Sequence, residues 1–270
     1  MEIKVSVIMG VYNTSNRDML QKSILSILNQ TYKNFEFIIC DDGSTDNTLD
    51  IVKEIVNGDN RVKIIKNDKN MGLAFTLNHC IDNANGIYIA RMDADDESNL
   101  VRLEKQVDFL DNHPEYAVVA SNWNLFDENG IWGKRRAPEV IEKKDFLFNS
   151  PIAHPTVMMR KNVLEKVNRY RVAKETIRAE DYDLFMRMYA NNYKIYTIQE
   201  ELFNVREDKN CFSRRKYRYR IQEVKVRFKG FKELKLYPVG IFYVIKPLIV
   251  GLIPANILKK LRKLRKNEKE

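Results

Sequence analysis

Short apolar runs alternate along the first hundred residues with stretches in which apolar positions recur every three or four residues. Val5-Ser-Val-Ile-Met9 reads as a buried strand, followed by the polar turn Gly10-Val-Tyr-Asn-Thr14. Leu20, Ile24, Ile27 and Leu28 then fall at helical spacing, with Ser15 or Asn16 placed to cap the helix. Phe35-Glu-Phe-Ile-Ile-Cys40 predicts a second buried strand that stops at Asp41-Asp-Gly-Ser-Thr-Asp46. Ser44 or Thr45 is placed to cap the next helix, whose apolar positions are Leu49, Ile51, Val52, Ile55 and Val56. Val62-Lys-Ile-Ile65 predicts a third strand, 67–72 a loop, 73–84 a helix and 87–92 a fourth strand.

Strands alternating with helices in this way describe a βαβ series, hence an α/β fold with a mostly parallel, Rossmann-like sheet flanked by helices. Ligands of such sheets bind outside the carboxyl ends of the strands. Gly10, Asp42 and Asp93 to Asp96 all sit at those ends, so topology should gather them into one cleft.

The second half is less regular. Leu100, Leu103, Val107 and Leu110 predict an amphipathic helix ended by His113-Pro114, then a strand over 116–120 and a hairpin-like excursion over 123–132. A short strand is expected at 156–159, and Asp181 opens a helix with Leu184, Phe185 and Met188 on one face. Short strands at 194–198 and 202–205 complete the body.

Composition adds where charge lies. Of 270 residues, 44% are apolar and 31% charged, as in a folded rather than a disordered chain. Cys40, Cys80 and Cys211 are scattered and odd in number, which argues against a disulfide framework or a zinc site and fits a reducing compartment. The chain enters its first strand with no signal-peptide pattern, so a cytoplasmic protein is expected. The net charge of +9 is uneven: residues 206–270 hold 20 Lys+Arg against 6 Asp+Glu, the remainder 26 against 31. A slightly acidic body with a basic tail points to a polyanionic partner, a membrane surface or a nucleic acid.

Two acidic clusters carry the candidate chemistry. Asp93, Asp95 and Asp96 repel one another unless a positive group lies between them. Either they form a solvated loop, or a hard cation such as Mg²⁺ or Mn²⁺ sits there and binds phosphate oxygens. Asp41-Asp-Gly-Ser44 offers a carboxylate acceptor for a base N–H or ribose hydroxyls, or is only a turn and cap. No G-x-G-x-x-G follows the first strand and no Walker A motif is present, which excludes those phosphate cradles.

Six ordered motifs across residues 3–206 resemble glycosyltransferase family 2, with its GT-A fold. They are Val5-Ser-Val-Ile-Met-Gly-Val-Tyr-Asn13, Ser26-Ile-Leu-Asn-Gln-Thr-Tyr32, Asp41-Asp-Gly-Ser-Thr-Asp46, Asn70-Met-Gly72, Met92-Asp-Ala-Asp-Asp96 and Glu180-Asp-Tyr-Asp-Leu-Phe-Met-Arg187. The resemblance implies inverting transfer of a sugar from a nucleotide-diphosphate sugar, with UDP expected, onto an acceptor hydroxyl in cell-surface polysaccharide or lipid-linked oligosaccharide synthesis. It implies that Gly10, Val11 and Tyr12 line the nucleotide pocket and that Asp42 contacts the base, with Asp41 beside it. Asp93 would lie near the ribose, and Asp95, with Asp93, would hold Mn²⁺ or Mg²⁺. Asp181 would be the general base; as a helix-opening residue it also reads as an N-cap, with Glu180 and Asp183 as close rivals. His154, Glu180 and Trp123 are candidates for the acceptor side of the cleft, and His154 and Trp123 also read as packed residues. Gly10 stands where some relatives carry a hydroxyl. On this basis residues 1–210 form the GT-A unit, with a nucleotide-sugar half at 1–98 and an acceptor half at 99–210.

Residues 211–270 form a basic helical tail. Its apolar runs at 236–245 and 247–258 are each shorter than the roughly 20 residues a spanning helix needs. Basic flanks on both sides favour an interfacial or re-entrant segment on the cytoplasmic face of an anionic membrane, with a homodimer contact as the rival. A nucleic-acid partner for the Tyr-rich basic run at 214–220 would leave the acidic cleft unexplained, and none is expected.

Overall fold

The computed structural model describes residues 3–207 and 217–253. Cys211, the start of the basic run at 214–216 and everything from 254 onward lie outside the described residues. The first half runs β1 (Val5–Val11), α1 (Arg17–Leu28), β2 (Phe35–Asp41), α2 (Thr48–Val56), β3 (Val62–Lys66), α3 (Leu73–Asp82) and β4 (Tyr88–Met92). Strand pairs β1–β2, β1–β4 and β2–β3 are parallel, as the alternating pattern predicts. Strands β1, β2 and β4 are covered on both faces, which explains their nearly continuous apolar sequence. Ile8, Ile38 and Ile89 face Leu77 and Ile81 of α3. Val7, Phe37 and Ala90 face Leu20 and Ile24 of α1 and Val52 of α2 on the other side.

Next come β5 (Glu97–Ser98), α4 (Arg102–Asn112), β6 (Tyr116–Asp127), β7 (Gly130–Arg135), β8 (Met158–Arg160), α5 (Lys161–Lys166), α6 (Glu180–Ala190) and β9 (Lys194–Arg206). Among the described residues the strands join one nine-stranded sheet, ordered β3-β2-β1-β4-β8-β6-β9-β5, with β7 paired to β6. The two short strands expected at 194–198 and 202–205 are one strand. It stays paired with β6 through register shifts around Ser121 to Trp123, which absorb the polar Gln199 and Glu200. The strand expected to end at residue 120 correspondingly runs on to Asp127.

Local capping follows the sequence at α1, where the Asn16 side chain accepts from Met19 N. It departs at α2. Ser44 and Thr45 do not cap that helix; they tie the β2–α2 loop to the β1–α1 loop. Ser44 Oγ accepts from Asn13 N at 3.0 Å, and Thr45 N donates to Asn13 Oδ1 at 2.9 Å.

At the opposite end of the sheet Glu36 is a buried polar pin. Its Oε1 accepts from Ser6 Oγ and Asn85 N, both at 2.6 Å, and Oε2 from Asn85 Nδ2 at 3.1 Å. Glu36→Ala strands these donors, so a loss of about 2 kcal/mol is expected. In a thermal melt that is a fall of about 4–8 °C, with turnover unchanged because the pin lies at the far edge from the acidic turn. Wild-type melting would refute it.

The chain ends, as described, with α7 (Tyr217–Glu233), α8 (Gly240–Val244) and α9 (Lys246–Leu252). Helix α7 docks through the buried Arg227, whose Nη1 donates to Leu147 O (2.9 Å) and Nη2 to Phe148 O (2.7 Å). Val226, Phe231 and Leu234 join the same apolar cluster as Leu184 and Phe185 of α6. Among the described residues no helix is long and apolar enough to cross a membrane.

Candidate active site

Strand β4 delivers the acidic turn. All five of its residues are buried, including Arg91. Arg91 Nη2 donates to Asp93 Oδ1 at 2.5 Å, while its Nε and Nη1 are buried without a hydrogen-bond partner. Burial opposes this charge, but the ion pair with Asp93 outweighs it and keeps the guanidinium protonated.

The turn itself is gripped by three elements. Ser23 Oγ of α1 donates to Asp93 O at 2.9 Å. Arg102 Nη2 of α4 donates to Arg91 O at 3.0 Å and to Val157 O at 3.1 Å. From β9, Arg206 N donates to Asp96 Oδ1 at 2.7 Å and Arg206 Nε to Asp95 O at 3.0 Å. The Ser26–Tyr32 motif belongs to the same scaffold. Buried Gln30 donates to Ser26 O and Asn99 O, and its Oε1 accepts from Leu103 N in the first turn of α4. Asp96 is buried with Oδ2 lacking a partner; burial first, then Asp93 and Asp95, push its carboxyl well above the usual range.

On the nucleotide side the two aspartates have different partners. Asp42 is filled by its own chain: Oδ1 accepts from Asn67 Nδ2 and Met71 N, both 2.8 Å, and Oδ2 from Gly72 N at 2.9 Å. It therefore anchors the Asn70-Met-Gly72 loop. Asp41 accepts Ser44 N at Oδ1, and its buried Oδ2 has no hydrogen-bond partner, with Lys66 Nζ 4.0 Å away. Gly43 between Asp42 and Ser44 has φ +69°, and a Cβ there would collide with the Lys69 backbone, so the turn demands glycine. Gly10 leaves room for Thr76, whose Cγ2 would lie 3.0 Å from an added Cβ. Val11 is buried and Tyr12 exposed.

Helix α6 brings the second acidic group. Asp183 is committed to Arg187 Nε (2.8 Å) and Arg171 Nη1 (3.2 Å), and Glu180 Oε1 accepts from Arg178 N at 3.1 Å. Asp181, in the first turn, is pushed up to about 6 by burial and then by Glu180, against the pull of local N–H groups and Arg91. His154 Nε2 shares a 2.7 Å hydrogen bond with Tyr170 OH, and burial and then Arg91 keep the imidazole neutral. Trp123 packs against both apolar layers.

Arg91 is the hub. Its charge acts on Asp93 and Asp96 of the acidic turn, on Glu180 and Asp181 of α6, and on His154 and Tyr170. Geometry also ties the two halves near the carboxyl end of β4: Arg91 N donates to Val157 O, and His154, bonded to Tyr170, lies 6.3 Å from the Phe185 ring of α6. Sequence reasoning passed over Arg91, Tyr170 and Arg206. For Arg91 a signal existed, a lone cation inside an otherwise apolar strand; Tyr170 and Arg206 reach the site only through tertiary packing.

The metal pair expected at Asp93 and Asp95 is modified by the Arg91–Asp93 ion pair. Among the described residues no three His, Cys, Asp or Glu are grouped to enclose an ion. Magnesium-type sites on phosphorylated substrates use one or two carboxylates plus phosphate and water oxygens. Asp95 and Asp93, beside the unpartnered Asp96 oxygen, fit that open arrangement.

The profile of glycosyl transferase family 2 matches residues 6–168. The chain belongs to that family. It is 43% identical over 269 residues to the putative glycosyltransferase EpsE of Bacillus subtilis (strain 168), covering 99% of this chain and 96% of the relative. It is 30% identical over 260 residues to the Escherichia coli UDP-Glc:alpha-D-GlcNAc-diphosphoundecaprenol beta-1,3-glucosyltransferase WfgD, covering 92% and 93%. Among solved structures, S. aureus TarS 1-349 in complex with UDP-GlcNAc aligns at a TM-score of 0.68 and 20% identity, over 92% of this chain and 71% of that one. The last likeness speaks to the fold, which is GT-A. The protein is a glycosyltransferase.

Proposed function

We propose that this transferase moves a sugar from a nucleoside-diphosphate sugar, a UDP-sugar first, to a hydroxyl of a glycan or lipid-linked acceptor during cell-surface polysaccharide synthesis, with inversion. One observation carries it: the buried Arg91 pairs with Asp93 in an acidic turn at the carboxyl end of β4 that Ser23, Arg102 and Arg206 hold in place, where the turn would meet the donor. Residues 1–98 supply the donor side and 99–210 the acceptor side. Gly10 to Tyr12 line the nucleotide, and Asp41, whose Oδ2 accepts no hydrogen bond from the chain, accepts from the base while Asp42 holds the neighbouring loop. Asp93 lies toward the ribose, and Arg206 on the acidic turn is placed to meet phosphate. Asp95 and Asp93 would hold Mg²⁺ or Mn²⁺, which as a Lewis acid offsets the charge developing on the departing diphosphate. Asp181 takes the acceptor proton as the acceptor oxygen bonds to the anomeric carbon and the sugar–phosphate bond breaks on the opposite face. His154, tethered to Tyr170, shapes the acceptor side with Glu180.

The UDP-Glc and the diphosphoundecaprenol in the WfgD name support this choice. A lipid-linked acceptor would bring the enzyme to the cytoplasmic face of the membrane, where the basic segment 211–270 would hold it. A panel of nucleotide sugars tested by thermal shift should show stabilisation by UDP-sugars only with Mn²⁺ or Mg²⁺. Asp95→Ala should keep the fold and lower UDP release by about 10²–10³. Metal-independent donor binding, or an unimpaired Asp95→Ala, would exclude the assignment.

A further inference from the structure

Helices α8 and α9 are apolar on two faces. The inner face, with Gly240, Val244 and Pro247 buried, packs on α7. Cβ atoms added at Gly240 and Gly251 would lie 3.1 Å from Phe231 and 3.0 Å from Tyr217. The outer face carries Val239, Phe242, Ile245, Ile249 and Leu252 at helical spacing, 48–75% exposed. A helix on the surface of a globular body ordinarily turns polar residues outward.

This stripe continues onto neighbouring elements. Phe228 of α7, 54% exposed, lies 5.9 Å from the Tyr237 ring, and the exposed Phe148 lies 5.0 Å from Tyr243. Cations flank it: Arg218, Lys225, Lys229, Lys232 and Lys235 are exposed on and just after α7. Of the two acidic residues in 217–253, Glu223 is engaged by Arg220 and Arg227, which leaves Glu233. The sequence after 253 adds seven Lys+Arg against two Glu.

We propose that this stripe is an interfacial wedge that enters the headgroup–acyl boundary of an anionic bilayer, with the lysines of α7 on the headgroups. It rests on the membrane role proposed above for residues 211–270 and assigns that role to named side chains. An apolar face rimmed by cations matches the two requirements of such a surface, buried apolar area and attraction to anionic lipid. A two-fold contact with a second copy would set one lysine rim against the other, and a nucleic acid would leave the aliphatic stripe in water.

Flotation of the full chain with phosphatidylglycerol-containing vesicles and with pure phosphatidylcholine vesicles tests this. Wild type should float with the anionic vesicles and far less with the neutral ones. Phe242→Asp and Ile249→Asp should each lower partition about tenfold or more, and Lys232→Gln or Lys235→Gln about fivefold. Melting temperature and UDP release from a soluble donor should stay at wild-type level, since these side chains are exposed and none belongs to the residues assigned to the site. If wild type floats and the Asp variants float equally, the stripe is wrong while the membrane role stands. If wild type does not float, both fall. A wild-type dimer that Phe242→Asp turns into a monomer with vesicle partition unchanged would assign the stripe to self-association instead.

Discussion

Asp181→Asn should abolish sugar transfer and leave donor binding intact. The amide keeps the size of the carboxylate but cannot take the acceptor proton, a loss of about 10²–10⁴ in kcat. In the proposed arrangement the donor nucleotide lies on the other side of the cleft, so its affinity should not move. Asp181 is the candidate left once its neighbours are accounted for, because Asp183 is committed to Arg187 and Arg171 and Glu180 to the Arg178 amide. The same assignment predicts a pH profile. The carboxyl of Asp181 stands near 6, raised by burial and Glu180 and lowered by Arg91 and helix N–H groups, with Tyr170 also facing it. A base works only when deprotonated, so the acidic limb of the transfer rate should fall as pH drops through about 6. Transfer by Asp181→Asn at the wild-type rate, or an acidic limb that this substitution leaves in place, would remove Asp181 from the role.

Arg91→Met should damage stability and transfer together. The substitution removes a buried cation and leaves the carboxylates of the acidic turn facing one another. Breaking such a pair costs about 3 kcal/mol at the low end of the buried range, fitting because Asp93 keeps partial access to water. Denaturant titration reads that term. Misplacing Asp93 and Asp181 relative to each other should lower kcat by about 10², with a smaller effect for Arg91→Lys, which keeps the charge but loses the planar fork. In an Asp93→Asn background the stability cost of Arg91→Met should shrink, since the partner charge is already gone. Equal costs in both backgrounds would show that Arg91 serves packing rather than the carboxylates.

Much of the fold was legible because strands β1, β2 and β4 are buried on both faces and their helices on one, so each periodicity is unambiguous. The second half was harder. Strand β9 carries Gln199, Glu200 and Glu201 in its middle, which reads as a break, yet pairing with β6 carries the chain through it. At the site, the acidic turn stood out as charge density that needs a reason, whereas Asp181 was marked only through the family resemblance. What each carboxylate does was not legible. Asp42 and Asp41 are adjacent and chemically identical, and only the loop folding back from Asn67 to Gly72 gives one three hydrogen bonds and leaves an oxygen of the other without any.

The amino-acid sequence by itself determined the βαβ order, the cleft at the strand ends, the acidic groups that line it and the basic, apolar character of the tail. These follow from local periodicity and from the one-dimensional placement of charge. Tertiary structure alone decided that Arg91 lies among the carboxylates and that Arg206 returns to the acidic turn. It also decided that α8 and α9 turn one apolar face onto α7 and leave the other exposed. Such choices depend on which groups meet in space, from Arg91 and Asp93 two residues apart to Asp96 and Arg206 110 apart, and no spacing along the sequence encodes that.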